Sequence, residues 1–160
     1  MIKVLFICHG NICRSPMAEF VLKNMAEKAG LADQLVIDSA ATSTEEIGNG
    51  IHHGTMSIFR KYHIPCTGHR ARQMTRRDYE EYDYLIGMDH WNIRNMSRIA
   101  GGDPQNKIRL LLDFTDRAGQ EIADPWYTGD FGATYRDVLA GCEGLLQYLK
   151  ENELHLFERR

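Results

Sequence analysis

The chain lacks any apolar run long enough to cross a membrane: the ~18–20 residues required are nowhere approached in its 160. A strong charge of either sign is missing too. Lys and Arg total 19 against 22 Asp and Glu, a net charge of −3, so nothing draws the whole chain to nucleic acid or an acidic membrane. Affinity for an anion must therefore be local. Internal repeats, low-complexity tracts and linkers are absent, which leaves one domain over residues 1–160 as the expectation. Cysteine is sparse: Cys8, Cys13, Cys66 and Cys142 stand at irregular spacing, with no disulfide framework, and reduced thiols are expected. The N-terminal apolar run is shorter than a secretory core and has no small-residue cleavage pattern after it, so cytoplasmic residence is expected.

What is present is an alternation of short apolar runs with helical periodicity. Ile2–Ile7, Leu35–Ile37, Tyr84–Gly87 and Ile108–Leu112 read as four buried strands. Ser15-Pro16 reads as a helix opening, with Ser as cap and Pro at the first helical position. Met17, Val21, Leu22 and Met25 form its apolar stripe, and Gly30 is its stop. A polar loop is expected over Asp38–Gly50, then a helix from about Ile51 to Tyr62. Thr75–Asp78 carries a capping-box pattern, and Asp89 caps a helix that ends before Gly101-Gly102. Thr115–Gly132 reads as one long loop, followed by an amphipathic helix carrying Tyr135, Val138, Leu139, Cys142, Leu145, Leu146 and Leu149. The pattern predicts an α/β fold, a doubly wound parallel sheet of four strands with helices on both faces. Ligands of such sheets bind beyond the carboxyl ends of strands.

At one such end stands Cys8-His9-Gly10-Asn11-Ile12-Cys13-Arg14-Ser15. A loop of this length between strand and helix must curl with its amides inward; Gly10 permits the backbone turn, and the helix adds its positive end. A tetrahedral dianion is the natural guest. Arg14 can grip two of its oxygens through a planar fork. Helix N-termini and cations bring thiols down to roughly 3.5–7.5, which makes Cys8 a thiolate aimed at phosphorus. The Ser15 hydroxyl can stabilise that thiolate as nucleophile and leaving group. The expelled oxygen needs a proton, and Asp124-Pro125-Trp126-Tyr127 offers one: Pro125 holds Asp124 extended, and aromatic neighbours with a phosphate dianion favour the acid form. His9 is expected at the cleft rim. His52-His53 lacks a third ligand at metal spacing and reads as a helix start, and no metal or cofactor is expected. Cys66 and Cys142 read as structural. Cys13 is either a small buried hydrophobe or a partner that traps oxidised Cys8 as a disulfide.

These residues resemble the low-molecular-weight protein tyrosine phosphatases. The family's Cys-x-Gly-Asn-x-Cys-Arg-Ser-Pro loop is matched from Cys8 to Pro16, and its Asp-Pro-aromatic motif at Asp124–Tyr127. Ser39–Ser43, Glu46–Asn49, His69 with Arg72-Gln73, and Tyr82–Tyr84 with Met88, Asp89 and Asn92 are similar to its intervening signatures. The resemblance implies Cys8 as nucleophile, Arg14 as phosphate clamp and Asp124 as general acid. It makes Asn11, Ser15 and Ser39 supports of the loop, with His69 tied to Asn11. His9, Gly10, Asn11, Ile12, Cys13, Glu45, Trp126 and Tyr127 are the implied substrate-binding residues. Glu45 stands where some relatives carry an aromatic wall, a role Trp126 can take, and at the rim Glu45 would disfavour acidic sequences. Ile12 stands where phosphoarginine-preferring members carry Thr, which favours a phenyl ring. The implied partners are phosphotyrosine proteins, a tyrosine kinase among the candidates, with inorganic phosphate as product and neither nucleic acid nor membrane. The alternatives are arsenate reduction, for which Cys66 and Cys142 are poorly spaced, a phosphoarginine phosphatase, and a phosphate-binding module, which would be expected to lack the thiol or the acid.

Overall fold

A computed structural model describes residues 1–153. β1 (Ile2–Cys8) is central, flanked by β2 (Leu35–Ala41) and β3 (Tyr84–Gly87), with β4 (Ile108–Leu110) outside β3; the order is β2-β1-β3-β4 and every pairing is parallel. Side chains of a strand alternate between faces, and β1 sorts its residues accordingly. Ile2, Val4, Phe6 and Cys8 join one buried cluster with residues of α1 (Arg14–Lys28) and α6 (Phe131–Asn152). Leu5 and Ile7 join the other, with residues of α3 (Arg76–Glu81) and α4 (His90–Ala100). Each Ile, Val, Leu or Phe side chain so buried contributes about 1.5–3 kcal/mol. The chain leaves β1 for one neighbour and later returns to the other, so the carboxyl end of β1 is the switch point where such sheets take ligands.

Four sequence expectations shift. β2 does not stop at Ile37: Asp38 to Ala41 continue in register with Leu5 to Cys8. Ser39 is buried there because its hydroxyl donates to the Glu19 carboxylate. β4 ends at Leu110 and a 3-10 turn, Leu111–Phe114, replaces its last residues; the Asp113 carboxylate accepts the Leu110 N–H and closes the turn. α1 begins at Arg14, so Ser15 lies inside the first turn and caps nothing. The long loop contains a short helix, α5 (Pro125–Thr128), capped by Asp124 and stopped at Gly129 with φ 73°. Asp130 then caps α6, its carboxylate accepting the Ala133 N–H. The expected helix after the polar loop is α2, His53–Lys61. Among the described residues no helix is long and apolar enough to cross a membrane.

α6 packs closely on the turn after β4. A Cβ on Gly144 would overlap the carbonyl oxygen of Phe114, and one on Gly141 would overlap the Leu111 side chain. Alanine is the better helix former by ~1 kcal/mol, yet Gly144→Ala should destabilise the protein by about 1–3 kcal/mol, because backbone cannot give way as a side chain can. Gly141→Ala should cost less. Urea unfolding midpoints of the two variants check the order.

Candidate active site

The loop from Cys8 to Arg14 is held by its carbonyls. Cys8 O accepts from Thr42 N–H at 3.0 Å, and His9 O from Ser43 N–H at 3.1 Å. Asn11 O accepts from His69 Nε2 at 2.7 Å. Ile12 O accepts from His52 N–H at 2.9 Å, and Cys13 O from Thr55 Oγ1 at 3.2 Å. In a trans peptide the C=O and the next N–H point opposite ways. Carbonyls drawn outward therefore turn the following amides into the curl. The left-handed position that closes the curl is Asn11, φ 59°, and not Gly10 as the sequence suggested. Asn tolerates this conformation better than most residues. Gly10 serves close approach instead: a Cβ there would lie 3.3 Å from Glu46 Cγ.

Cys8 Sγ sits at the floor of the curl, buried, with Asn11 N–H at 3.3 Å, Ser15 N–H at 3.4 Å and Ser15 Oγ at 3.0 Å. The direction of the last bond follows from a chain of donors. Glu19 is buried and takes Lys23 Nζ and Ser39 Oγ, each at 2.6 Å. Ser39 has thus given its proton away and accepts from Asn11 Nδ2 at 2.9 Å. The same Nδ2 donates to Ser15 Oγ at 2.8 Å. Ser15 is left to donate to sulfur. Asn11 is fully buried, and its side chain holds Ser15, Ser39 and, through Oδ1, the Arg72 N–H at 3.2 Å. The side chain does not line the cavity, while the backbone N–H faces the sulfur from within the curl. Glu19 was missed by the sequence analysis; its signal was a charge one helical turn after Ser15 in a stretch otherwise apolar.

The guanidinium of Arg14 is 2% exposed. Its Nη1 donates to Asp89 Oδ2 at 2.7 Å and to Ile122 O at 2.8 Å, and Nη2 reaches Asp124 Oδ2 at 3.4 Å. Burial pulls its pKa down, but Cys8, Asp89 and Asp124 outweigh that and the net shift is up. Asp89 has a second partner beyond the helix it was expected to cap. It does cap α4, Oδ1 accepting the Asn92 N–H at 2.8 Å, while Oδ2 holds Arg14. Asp124 is likewise bifunctional: Oδ1 accepts the Trp126 N–H at 3.1 Å and Oδ2 faces Arg14.

A cavity of about 100 Å³ opens over the sulfur, lined by Cys8, His9, Gly10, Ile12, Cys13, Glu45, Glu46, Asp124, Trp126 and Tyr127. The structure thus brings together all the expected lining residues except Asn11, and adds Glu46. Trp126 and Tyr127 are exposed, and at the rim His9 Nε2 lies 2.8 Å from Glu45 Oε2. Among the described residues no three His, Cys, Asp or Glu side chains are grouped to hold a metal ion. The His52 and His53 rings stack on each other, 4.2 Å apart.

A family model described as low molecular weight phosphotyrosine protein phosphatase matches residues 3–155. The low molecular weight protein-tyrosine-phosphatase YfkJ of Bacillus subtilis is 41% identical over 156 residues, 96% of this chain and 100% of that protein. Its crystal structure superposes with a TM-score of 0.92, covering 96% of this chain and 97% of that one at 40% identity. The low molecular weight protein tyrosine phosphatase SP-PTP of Streptococcus pyogenes superposes at 0.81, with 39% identity and full coverage of both chains.

The Cys13 thiol is pushed up to about 12, first by burial, then by Cys8 and Asp124, from an ordinary value of 9.0. Above the ordinary value the unfolded thiol ionises while the folded one keeps its proton, so the contribution is intact below about pH 9 and is lost as pH rises toward 12. Urea unfolding from pH 8 upward should show a falling midpoint beyond about pH 9, and Cys13→Ala should make the fall shallower. An equally steep fall in the variant assigns the slope to other groups.

Proposed function

Because the chain belongs to the low-molecular-weight phosphotyrosine protein phosphatase family, and is on that ground a protein-tyrosine phosphatase, we propose that it works through Cys8, Arg14 and Asp124 in one domain spanning residues 1–160, in the cytoplasm. The observation that carries the assignment is the convergence of two amides and one hydroxyl on Cys8 Sγ beneath a cavity whose mouth holds Asp124. The thiolate is the nucleophilic form of cysteine, and all three donors are placed to hydrogen-bond it.

Phosphotyrosine enters with its dianion in the curl and its ring between Ile12 and Trp126. Arg14 keeps its short bond to Asp89 and exchanges the long contact with Asp124 for a phosphate oxygen. Cys8 Sγ attacks phosphorus in line; the S–P bond forms as the ester P–O bond breaks, and Asp124 gives its proton to the leaving phenoxide. Ser15 stays hydrogen-bonded to the sulfur throughout. In the second step Asp124 takes a proton from water, the oxygen attacks phosphorus, and the S–P bond breaks to release inorganic phosphate and restore the thiolate. Neither step calls on a metal or cofactor. His9 lies at the rim, Gly10 and Cys13 line the phosphate end, and Ser15, Ser39 and His69 hold Asn11 and the sulfur in place. A tyrosine kinase is a natural phosphoprotein partner; nucleic acid and membrane are not.

Ile12 offers a branched apolar wall, which suits a phenyl ring better than a guanidinium. In a panel of matched phosphopeptides, the phosphotyrosine form should be hydrolysed and the phosphoserine and phosphoarginine forms left intact; preference for phosphoarginine overturns the assignment. Cys8→Ser should abolish turnover. Asp124→Ala should lower kcat by about 10²–10⁴ for aryl phosphates with basic leaving groups and by much less for acidic ones; equal losses contradict the acid role. Glu45 is exposed at the rim. Peptides with acidic neighbours should show a higher KM than those with basic ones at low salt, a gap that Glu45→Gln and added salt both narrow.

A further inference from the structure

His52 touches both halves of the site without lining its cavity. Its backbone N–H donates to Ile12 O in the phosphate loop at 2.9 Å. Its Nδ1 accepts the Gly54 N–H at 3.0 Å, closing the N-terminus of α2. An accepting Nδ1 leaves the proton of the neutral ring on Nε2. The ring lies near-parallel to Phe131, with centroids 5.1 Å apart and planes at 17°. Trp126 meets it edge-on at 5.6 Å and 78°. Trp126 belongs to α5 and Phe131 opens α6, so two aromatics that follow Asp124 in the chain rest on one imidazole. Gly54 completes the seat, since a Cβ there would overlap the Phe131 ring.

Trp126 links this seat to the proton donor. Its backbone N–H donates to Asp124 Oδ1, so a shift of the indole carries with it the peptide that aims the carboxyl. The acid loop's other ties lie elsewhere: Thr134 Oγ1 to Ala123 O at 3.1 Å, and Arg14 to Ile122 O and Asp124. We infer that His52 is a positioning residue that sets Trp126, and through it Asp124, above Cys8; the inference rests on the phosphatase reading of the site. The seat requires the neutral ring, because a second proton on Nδ1 would face the Gly54 amide and the positive end of α2. Burial and then the stacked His53 push the His52 pKa down, against a smaller pull from Glu46, which keeps that form.

The test uses a Trp91→Phe background, which leaves Trp126 as the one indole of the two; Trp91 is exposed on α4, away from the cavity lining. His52→Asn supplies a cap acceptor without the ring, and His52→Phe supplies the ring without the acceptor. Both are read by kcat on aryl phosphates with basic and acidic leaving groups and by indole emission. His52→Asn should lose about 10-fold in kcat on the basic leaving group and less than about 2-fold on the acidic one, with shifted emission. His52→Phe should keep the parent ratio, whatever its stability. An unchanged ratio in His52→Asn, or equal loss in both variants, overturns the inference. If Asp124→Ala itself shows no leaving-group dependence, it is the acid assignment that falls, and the inference with it.

Discussion

Five outward carbonyls are the constraint on which the site depends. Cys8, His9, Asn11, Ile12 and Cys13 each present a C=O to a donor from the surrounding scaffold. Planar peptides then turn the amides that follow these carbonyls the opposite way, and the Asn11 and Ser15 amides reach the sulfur itself. A ring of inward N–H groups is a concentration of partial positive charge with no side-chain cation in it, and it is costly unless an anion occupies it. A phosphate dianion is one such guest, and the sulfur at the floor already takes two of the amides, those of Asn11 and Ser15. The scaffold donors come from the segment after β2, from the start of α2 and from His69, so the loop is shaped by parts of the chain distant in sequence. This is why a nine-residue motif alone does not make the site.

Asn11 is the local cost of that geometry. A left-handed backbone at a non-glycine residue is tolerated only when the surroundings over-determine it. Here the side chain holds two hydroxyls and one backbone amide while its carbonyl takes a histidine. Glycine would adopt the angle more easily but would sever the donor chain that begins at Glu19. Because Glu19 can only accept, it orients Ser39, Asn11 and Ser15 in turn, and the last proton of the series points at sulfur. A single buried carboxylate two hydroxyls away thus decides which way Ser15 faces. Its own burial is tolerable because Lys23 and Ser39 both satisfy it.

The sequence was most legible where chemistry is local. The strand before Cys8, the loop motif, the Asp-Pro-aromatic run and the amphipathic last helix each carry their signal within a dozen residues. It was least legible where a polar residue is buried by a partner far along the chain. Asp38-Ser39 looks like a loop until β1 and Glu19 are beside it. Asp89 looks like a cap until Arg14 arrives from 75 positions earlier. Leu111 and Leu112 continue an apolar run that the Asp113 carboxylate and the Thr115 bonds to Leu112 O turn aside. Gly10 was the obvious candidate for the unusual backbone angle, because glycine adopts it freely; Asn11 takes it instead because three hydrogen bonds to its side chain repay the strain.

The parity of β1 ties fold to chemistry. Residues at even positions face α1 and α6, and those at odd positions face α3 and α4. Cys8 is even, so its sulfur points to the face where α1 begins, and the first turn of that helix can bring Ser15 and its amide to it. A one-residue slip of β1 against β2 and β3 would send every side chain to the opposite face. Leu5, Ile7 and Cys8 would exchange surroundings, and the thiol would meet Ile93 and Met96 in place of a helix N-terminus. The register is therefore enforced by the two hydrophobic clusters, which together far outweigh any bond made by the sulfur. The thiol is placed by the core, and only its aim is left to the polar network around the loop.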